Sequence, residues 1–231
     1  MHMQMSESQG SVNAQATGVM SFSKPVHGTL SMRMNLPNSP TPVTMTERML
    51  GTTLYMHMPF LHASAPQIKP WIKIDLGALG KAEGLNLGAL MNSNTNDPAS
   101  ILSYLKGIAG PITVVGTETV NGVQTTHYRA TVNYAKAVAS LRRTNPAAAT
   151  ALQQSIDKTG TRTAPVEVWV DGSGLMRQER VSVAMPALGG SMLILLQLSD
   201  FGVPVHVSAP PASQTTDLLK MLRSQGAGGT A

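Results

Sequence analysis

Residues 116–132 read GTETVNGVQTTHYRATV. Asn121-Gly122 stands between two segments that alternate polar and apolar side chains. A type I′ turn requires positive φ at both central residues, and Asn followed by Gly meets that need at least steric cost. The stretch therefore reads as a two-residue β-hairpin whose register follows from the turn. Val120 faces Val123, Glu118 faces Thr125 and Gly116 faces His127. Further out, Val115 meets Tyr128 and Thr113 meets Ala130. Because side chains alternate between faces, His127 and Arg129 share the side of Glu118, and Tyr128 and Val132 point the other way. The expectation is a structural hairpin, with Tyr128 and Val132 on the apolar side and His127 and Arg129 in water.

The same alternation recurs on both sides of the hairpin. VHGTLSMRMNL (26–36) puts Leu30, Met32, Met34 and Leu36 on one face, and PVTMTERMLGTTLYMHMPF (42–60) reads as two strands around Gly51. QIKPWIKIDL (67–76) is a further strand. Asp97-Pro98 starts a short helix that stops at Gly107. After the hairpin the period lengthens. NYAKAVASLRRT and NPAAATALQQSIDKTG read as helices, the second with Asn145 as N-cap, Pro146 in the first turn and Gly160 as the stop. Strands return over 164–185 around a DGSG turn. A last apolar strand region begins at Ser191, with both faces of Met192–Leu196 apolar and expected to be covered. Residues 217–223 form a short helix.

Strands, inserted helices and strands again give an α+β chain. The expected architecture is a single large, strongly curved antiparallel sheet of roughly ten strands with a few helices packed on its concave face. Residues 1–15 read as a solvated leader, 16–224 as one domain and 225–231 as a fraying tail.

Composition narrows the function classes. Hydrophobic residues make up 42 % of the 231 residues and charged ones 13 %. Aromatics are 4 %, but there are 15 methionines. Methionine is flexible and suits an apolar lining that adapts to variable shapes. The net charge is +5, yet the basic residues are scattered without aromatic interleaving, which argues against nucleic acid. With no cysteine, disulfides, thiolate metal sites and a Cys nucleophile are excluded. No phosphate-binding glycine loop, nucleophile elbow, metal-spaced histidines or carboxylate pair is present, so no cofactor and no catalytic residue is expected. Glu118 and His127 form the one conceivable acid-base couple, and it reads as a cross-strand polar pair. Trp71 and Trp169 are equally compatible with a ligand face and with burial.

The order TTLYMHMP, WIKIDL, DPASILSYLKG, VVGTETVNGVQTTHYRATVNYAKA, PVEVWVDGSGLMRQERVSV and LQLSDFGVPVHVSAPPA resembles the actinobacterial lipoproteins of the LppX/LprG type, over Gly18 to Ala212. That family is related in fold to the periplasmic lipoprotein carrier LolA. The resemblance implies a U-shaped half-barrel and a non-catalytic extracytoplasmic lipoprotein that binds or carries acylated lipids, phospholipid or glycolipid. It further implies attachment to the cell membrane through an N-terminal lipid anchor, an envelope transporter as partner, and a monomer. The lipidated cysteine and signal peptide of such a protein are missing here, as expected of a chain cut after that cysteine. Alternation nominates Leu30, Met32, Met34, Met45, Leu54, Met56, Met58, Tyr128, Val168, Val183 and Leu196 as cavity lining. The alternatives are an envelope protein-interaction or sensor module with a filled core, and last a hydrolase using Glu118 and His127.

Overall fold

The computed structural model describes residues 2–9, 12–35, 41–78 and 109–221. The first half is built of β1 (His2–Gln9), β2 (Val12–Ser21), β3 (His27–Asn35), β4 (Val43–Leu50), β5 (Thr53–His57), α1 (Pro59–Ser64) and β6 (Trp71–Asp75). The hairpin follows as β7 (Thr113–Val120) and β8 (Val123–Asn133), then α2 (Tyr134–Thr144), α3 (Pro146–Thr159), β9 (Thr163–Asp171), β10 (Met176–Met185), β11 (Gly190–Ser199) and β12 (Thr215–Asp217). Two single-turn 3₁₀ helices, Pro186–Leu188 and Ala212–Gln214, complete the described elements. In hydrogen-bonding order the strands run β12-β6-β5-β4-β3-β2-β1-β11-β10-β9-β8-β7, open at both ends and not closed into a barrel. Among the described registers only β12–β6 is parallel. The expected α+β, mostly antiparallel architecture is what the chain adopts. No helix among the described residues is long and apolar enough to cross a membrane.

The chain divides into two compact units where the sequence suggests one domain. The first comprises Met1–His2, Ala16–Ser93 and Gly202–Ala231, the second Met3–Gln15 and Asn94–Phe201. In the first unit β3–β4–β5–β6 form a continuous antiparallel ladder. Its β2 and β3 approach so closely that a Cβ on Gly18 would strike Thr29 O and Leu30 Cα, and one on Gly28 would strike Val19 O and Met20 Sδ. Glycine at both positions is what lets the two strands touch. Residues 203–211, which alternate Val203, Val205 and Val207 and extend the last strand in the sequence reading, are not in the sheet. Pro204, Pro210 and Pro211 lack the N–H a ladder needs. The segment instead straps one face of this unit, held by side chains. His27 Nε2 lies 3.1 Å from Val205 O, and the Arg48 guanidinium donates to Ser208 O at 3.1 Å.

In the second unit α2 and α3 cover β8–β9–β10. Val132, Ala137, Val166 and Val168 form the buried cluster, with Leu152, Val170 and Val181 packed around it. Both helices start as the sequence predicts. Asn133 Oδ1 accepts from Lys136 N, and Asn145 Oδ1 from Ala148 N, each at 3.1 Å. Gly160 ends α3 in the left-handed region at φ 71°.

Other expectations are corrected. Residues 2–9 and 12–15, read as a leader, lie in β1 and β2. The inner hairpin register is as predicted, but a bulge at Val115 shifts the outer part, so Val114 rather than Val115 faces Tyr128, and Thr113 faces Arg129. The apolar strand β11 is not covered throughout, since Leu193 remains 40 % exposed. The helix expected at 98–107 and the tail at 225–231 lie outside the described residues.

Candidate functional site

Directly opposed residues of an antiparallel pair share a face, so the ladders assign each side chain. In the first unit Leu30, Glu47, Met56 and Ile72 stand in one row across β3–β6. Met32 faces Met45, Met34 faces Val43, and Met49, Leu54 and Ile74 make the next row. Leu30, Met32, Met34, Met45, Leu54 and Met56 are thus brought together on one methionine-rich face. Met45 and Ile72 are buried and the other members of these rows are half-buried. Met58 does not join them. It precedes Pro59 at the start of α1, and its N–H donates to Pro70 O at 3.1 Å. Trp71 lies on the opposite face, beside His57 and under the Arg48 guanidinium, 4.7 Å from the ring centroid.

The second unit has a matching row of Tyr128, Val168, Glu179 and Leu196 across β8–β11. Val181 and Ile194 follow in the next row, and Val183 faces Met192. Of the nominated residues here, Val168 is 2 % exposed within the helix-packed cluster, where its surface is already covered by protein.

Each apolar face carries a carboxylate that the sequence reading passed over. Glu47 keeps step with Met45 and Met49, and Glu179 with Val181 and Val183, so the alternation itself marks them. Burial raises the carboxyl of Glu47, and likewise that of Glu179, above the ordinary range. A raised folded pKa means the charged form is disfavoured in the fold. The penalty is full above the folded pKa and vanishes as pH falls below the unfolded one. Glu179→Gln is therefore expected to raise the thermal midpoint by a few degrees at neutral pH, with the gain shrinking towards about pH 4. A gain that is the same at both pH values would contradict the charge argument.

No protein-family model matches the chain. The crystal structure of Mycobacterium tuberculosis lipoprotein LppX superposes with a TM-score of 0.46 at 14 % identity, covering 90 % of this chain and 89 % of that one. An uncharacterized 31.2 kDa protein of Streptomyces griseus is 31 % identical over 163 residues, 69 % of this chain, and the chain spans about half of that relative's length, 52 %. A Streptomyces coelicolor protein designated "Putative lipoprotein" is 28 % identical over 230 residues, 93 % of this chain and 68 % of that protein. The relatives matched by sequence are Streptomyces proteins, one of them designated a putative lipoprotein.

The Glu118–His127 pair is judged by its own geometry. The sequence reading places His127 in water. It is instead buried, 4 % exposed, and this is a correction. Its ring stacks on Trp169 of β9, with centroids 4.2 Å apart and planes 13° from parallel. Nδ1 lies 2.8 Å from Glu118 Oε1, and the Trp169 indole N–H donates to Glu118 Oε2, also at 2.8 Å. The Trp169 hydrogen bond, then the one from His127, holds the Glu118 carboxyl below its usual range. Nε2 is buried with no hydrogen-bond partner, 3.5 Å from Glu167 Oε1. Glu167 is occupied by Arg129 Nη2 at 2.7 Å and Arg180 Nη1 at 3.1 Å. Burial pushes the Glu167 carboxyl up, and these guanidinium hydrogen bonds more than reverse it.

A serine relay needs a hydroxyl on the free imidazole nitrogen. Here that nitrogen points at an occupied carboxylate. Among the described residues no group of three His, Asp or Glu side chains converges as metal ligands do. The cluster cross-links β7, β8, β9 and β10 on the face turned away from Tyr128 and Val168.

Proposed function

We propose that the chain is a non-catalytic, extracytoplasmic lipoprotein that binds or carries acylated lipids, with the methionine face of the first unit as the acyl seat. The observation that carries this reading is the convergence of Leu30, Met32, Met34, Met45, Leu54 and Met56 on one face of β3–β5. Unbranched thioether side chains conform to a chain of variable length and curvature at little rotamer cost. The Streptomyces coelicolor relative's designation as a lipoprotein supports attachment at the cell envelope. Phospholipids and glycolipids both fit, because the recognised part is the hydrocarbon. The envelope interaction module is the second reading, favoured by the helix-covered cluster around Val168, which is filled by the protein's own side chains.

Displacement of a fluorescent fatty-acid probe by acyl chains of increasing length tests the proposal. Each buried methylene contributes about 0.8 kcal/mol, so affinity should climb about fourfold per carbon until the face is filled. No saturable probe binding at all would leave the interaction module as the better reading.

A further inference from the structure

The first unit holds a concavity on the side of its sheet opposite the row of Glu47, Met56 and Ile72. Its volume is about 800 Å³. Tyr55 of β5 and Lys73 of β6 face each other across the ladder, and Lys73 faces Asp217 of β12. Lys69, from the turn before β6, and Lys220, just after β12, complete a set of three lysines around one cavity. Alternation along β5 and β6 separates this pocket from Met56, Ile72 and Ile74.

The charges do not balance. Asp217 is the one carboxylate lining the pocket among the described residues. Lys73 Nζ pairs with its Oδ2 at 3.2 Å, and its Oδ1 accepts from Lys220 N at 3.2 Å. Burial pushes the Asp217 carboxyl up, and the Lys220 N–H and Lys73 more than reverse it, so the carboxylate stays charged and engaged. Lys69 Nζ donates to Ala212 O at 3.2 Å, which leaves its charge uncompensated. Lys220 adds a Coulombic attraction to the same Asp217 carboxylate that Lys73 already pairs with. In a chain whose 17 basic residues are otherwise scattered, three ammonium groups against one carboxylate leave two positive charges facing one cavity. Like charges brought together repel unless an anion joins them.

We infer that this pocket binds a phosphate group carried on a small organic body. Lysine ammoniums are separate point donors that can meet different oxygens of a tetrahedral anion, whereas planar carboxylate is the usual match for an arginine fork. Tyr55, also in the lining, carries a hydroxyl that can serve as a neutral donor. A bare phosphate fills a small part of the volume, and the apolar wall of Pro210 and Met221 suits the body that bears it. A phospholipid headgroup and a soluble phosphate ester share this chemistry.

The test uses glycerol 3-phosphate and, separately, phosphatidylcholine vesicles with and without phosphatidylglycerol. The proteins are wild type, Lys69→Gln/Lys220→Gln, and a charge-matched control, Lys136→Gln/Lys158→Gln, altered on α2 and α3. Glycerol 3-phosphate should produce saturable amide shifts at Tyr55, Thr216 and Asp217 in wild type and control. Removing two charge-assisted contacts at Lys69 and Lys220 should weaken the response by about tenfold. If phosphatidylglycerol vesicles also capture wild type and control but not the pocket variant, the source is a lipid headgroup. Capture of none, with the ester response intact, assigns a soluble ester. Absence of saturable shifts with the ester, or equal responses in the two double variants, overturns the inference. Glycerol 3-phosphate has no acyl chain, so this result is independent of the acyl-binding proposal.

Discussion

Acyl-chain binding should fall by at least about tenfold when Met34 and Met56 are both changed to lysine, the cost of setting charges beneath hydrocarbon. Met56 lies between Glu47 and Ile72 in the ladder, and Met34 faces Val43. An acyl chain laid over this face would strip water from both new ammonium groups without offering them a hydrogen bond. The fold itself is expected to survive, because these positions are half-buried and the Met56→Lys ammonium stands opposite the Glu47 carboxylate. The matched control is Ser31→Lys with Thr46→Lys. These residues face each other on the other side of the same strands, so the added charge is equal and the methionine face is untouched. Probe displacement on both variants decides the point. Equal affinities for the two would remove the methionine face from the account.

His127→Ala should have the largest effect on stability, about 2–4 kcal/mol, with no loss of lipid binding. Truncation removes a ring stacked on Trp169, deletes the bond to Glu118 and leaves a void beside a buried indole. Three strands lose a shared contact at once. Replacing the more exposed Arg129 by Ala should cost much less, because half of its side chain is in water and Arg180 still reaches Glu167. Urea unfolding of the two variants gives the comparison. A midpoint for His127→Ala equal to that of wild type would show that the stack carries no stability. Acyl-ester hydrolysis by wild type that His127→Ala abolishes with the fold intact would revive the hydrolase reading.

Local signals were enough for much of this fold. Asn121-Gly122 sets the hairpin and its inner register, and Asn145, Pro146 and Gly160 bound a helix where the structure has one. What escaped depends on partners distant in the chain. His127 looks exposed because alternation only says that it opposes Tyr128. Its burial comes from Trp169, which β8–β9 pairing brings alongside it from 42 residues away. The Val115 bulge adds one residue to one strand without disturbing the local polarity pattern, so alternation could not reveal it. Glu47 and Glu179 were visible in phase with their apolar neighbours, but a carboxylate in a strand is usually read as a solvated one. Residues 203–211 alternate like a strand, and only their prolines argue otherwise. The lysine pocket had no sequence signal, since Asp217 and Lys220 reach Tyr55, Lys69 and Lys73 through the parallel β12–β6 pair.

Native mass spectrometry of the purified protein, followed by organic extraction and lipid analysis, tests acyl binding most directly. The account predicts co-purified acylated lipid near one molecule per chain, lost in the Met34→Lys/Met56→Lys variant and retained in Ser31→Lys/Thr46→Lys. A bare protein mass that stays unchanged after incubation with phospholipid and glycolipid would contradict it.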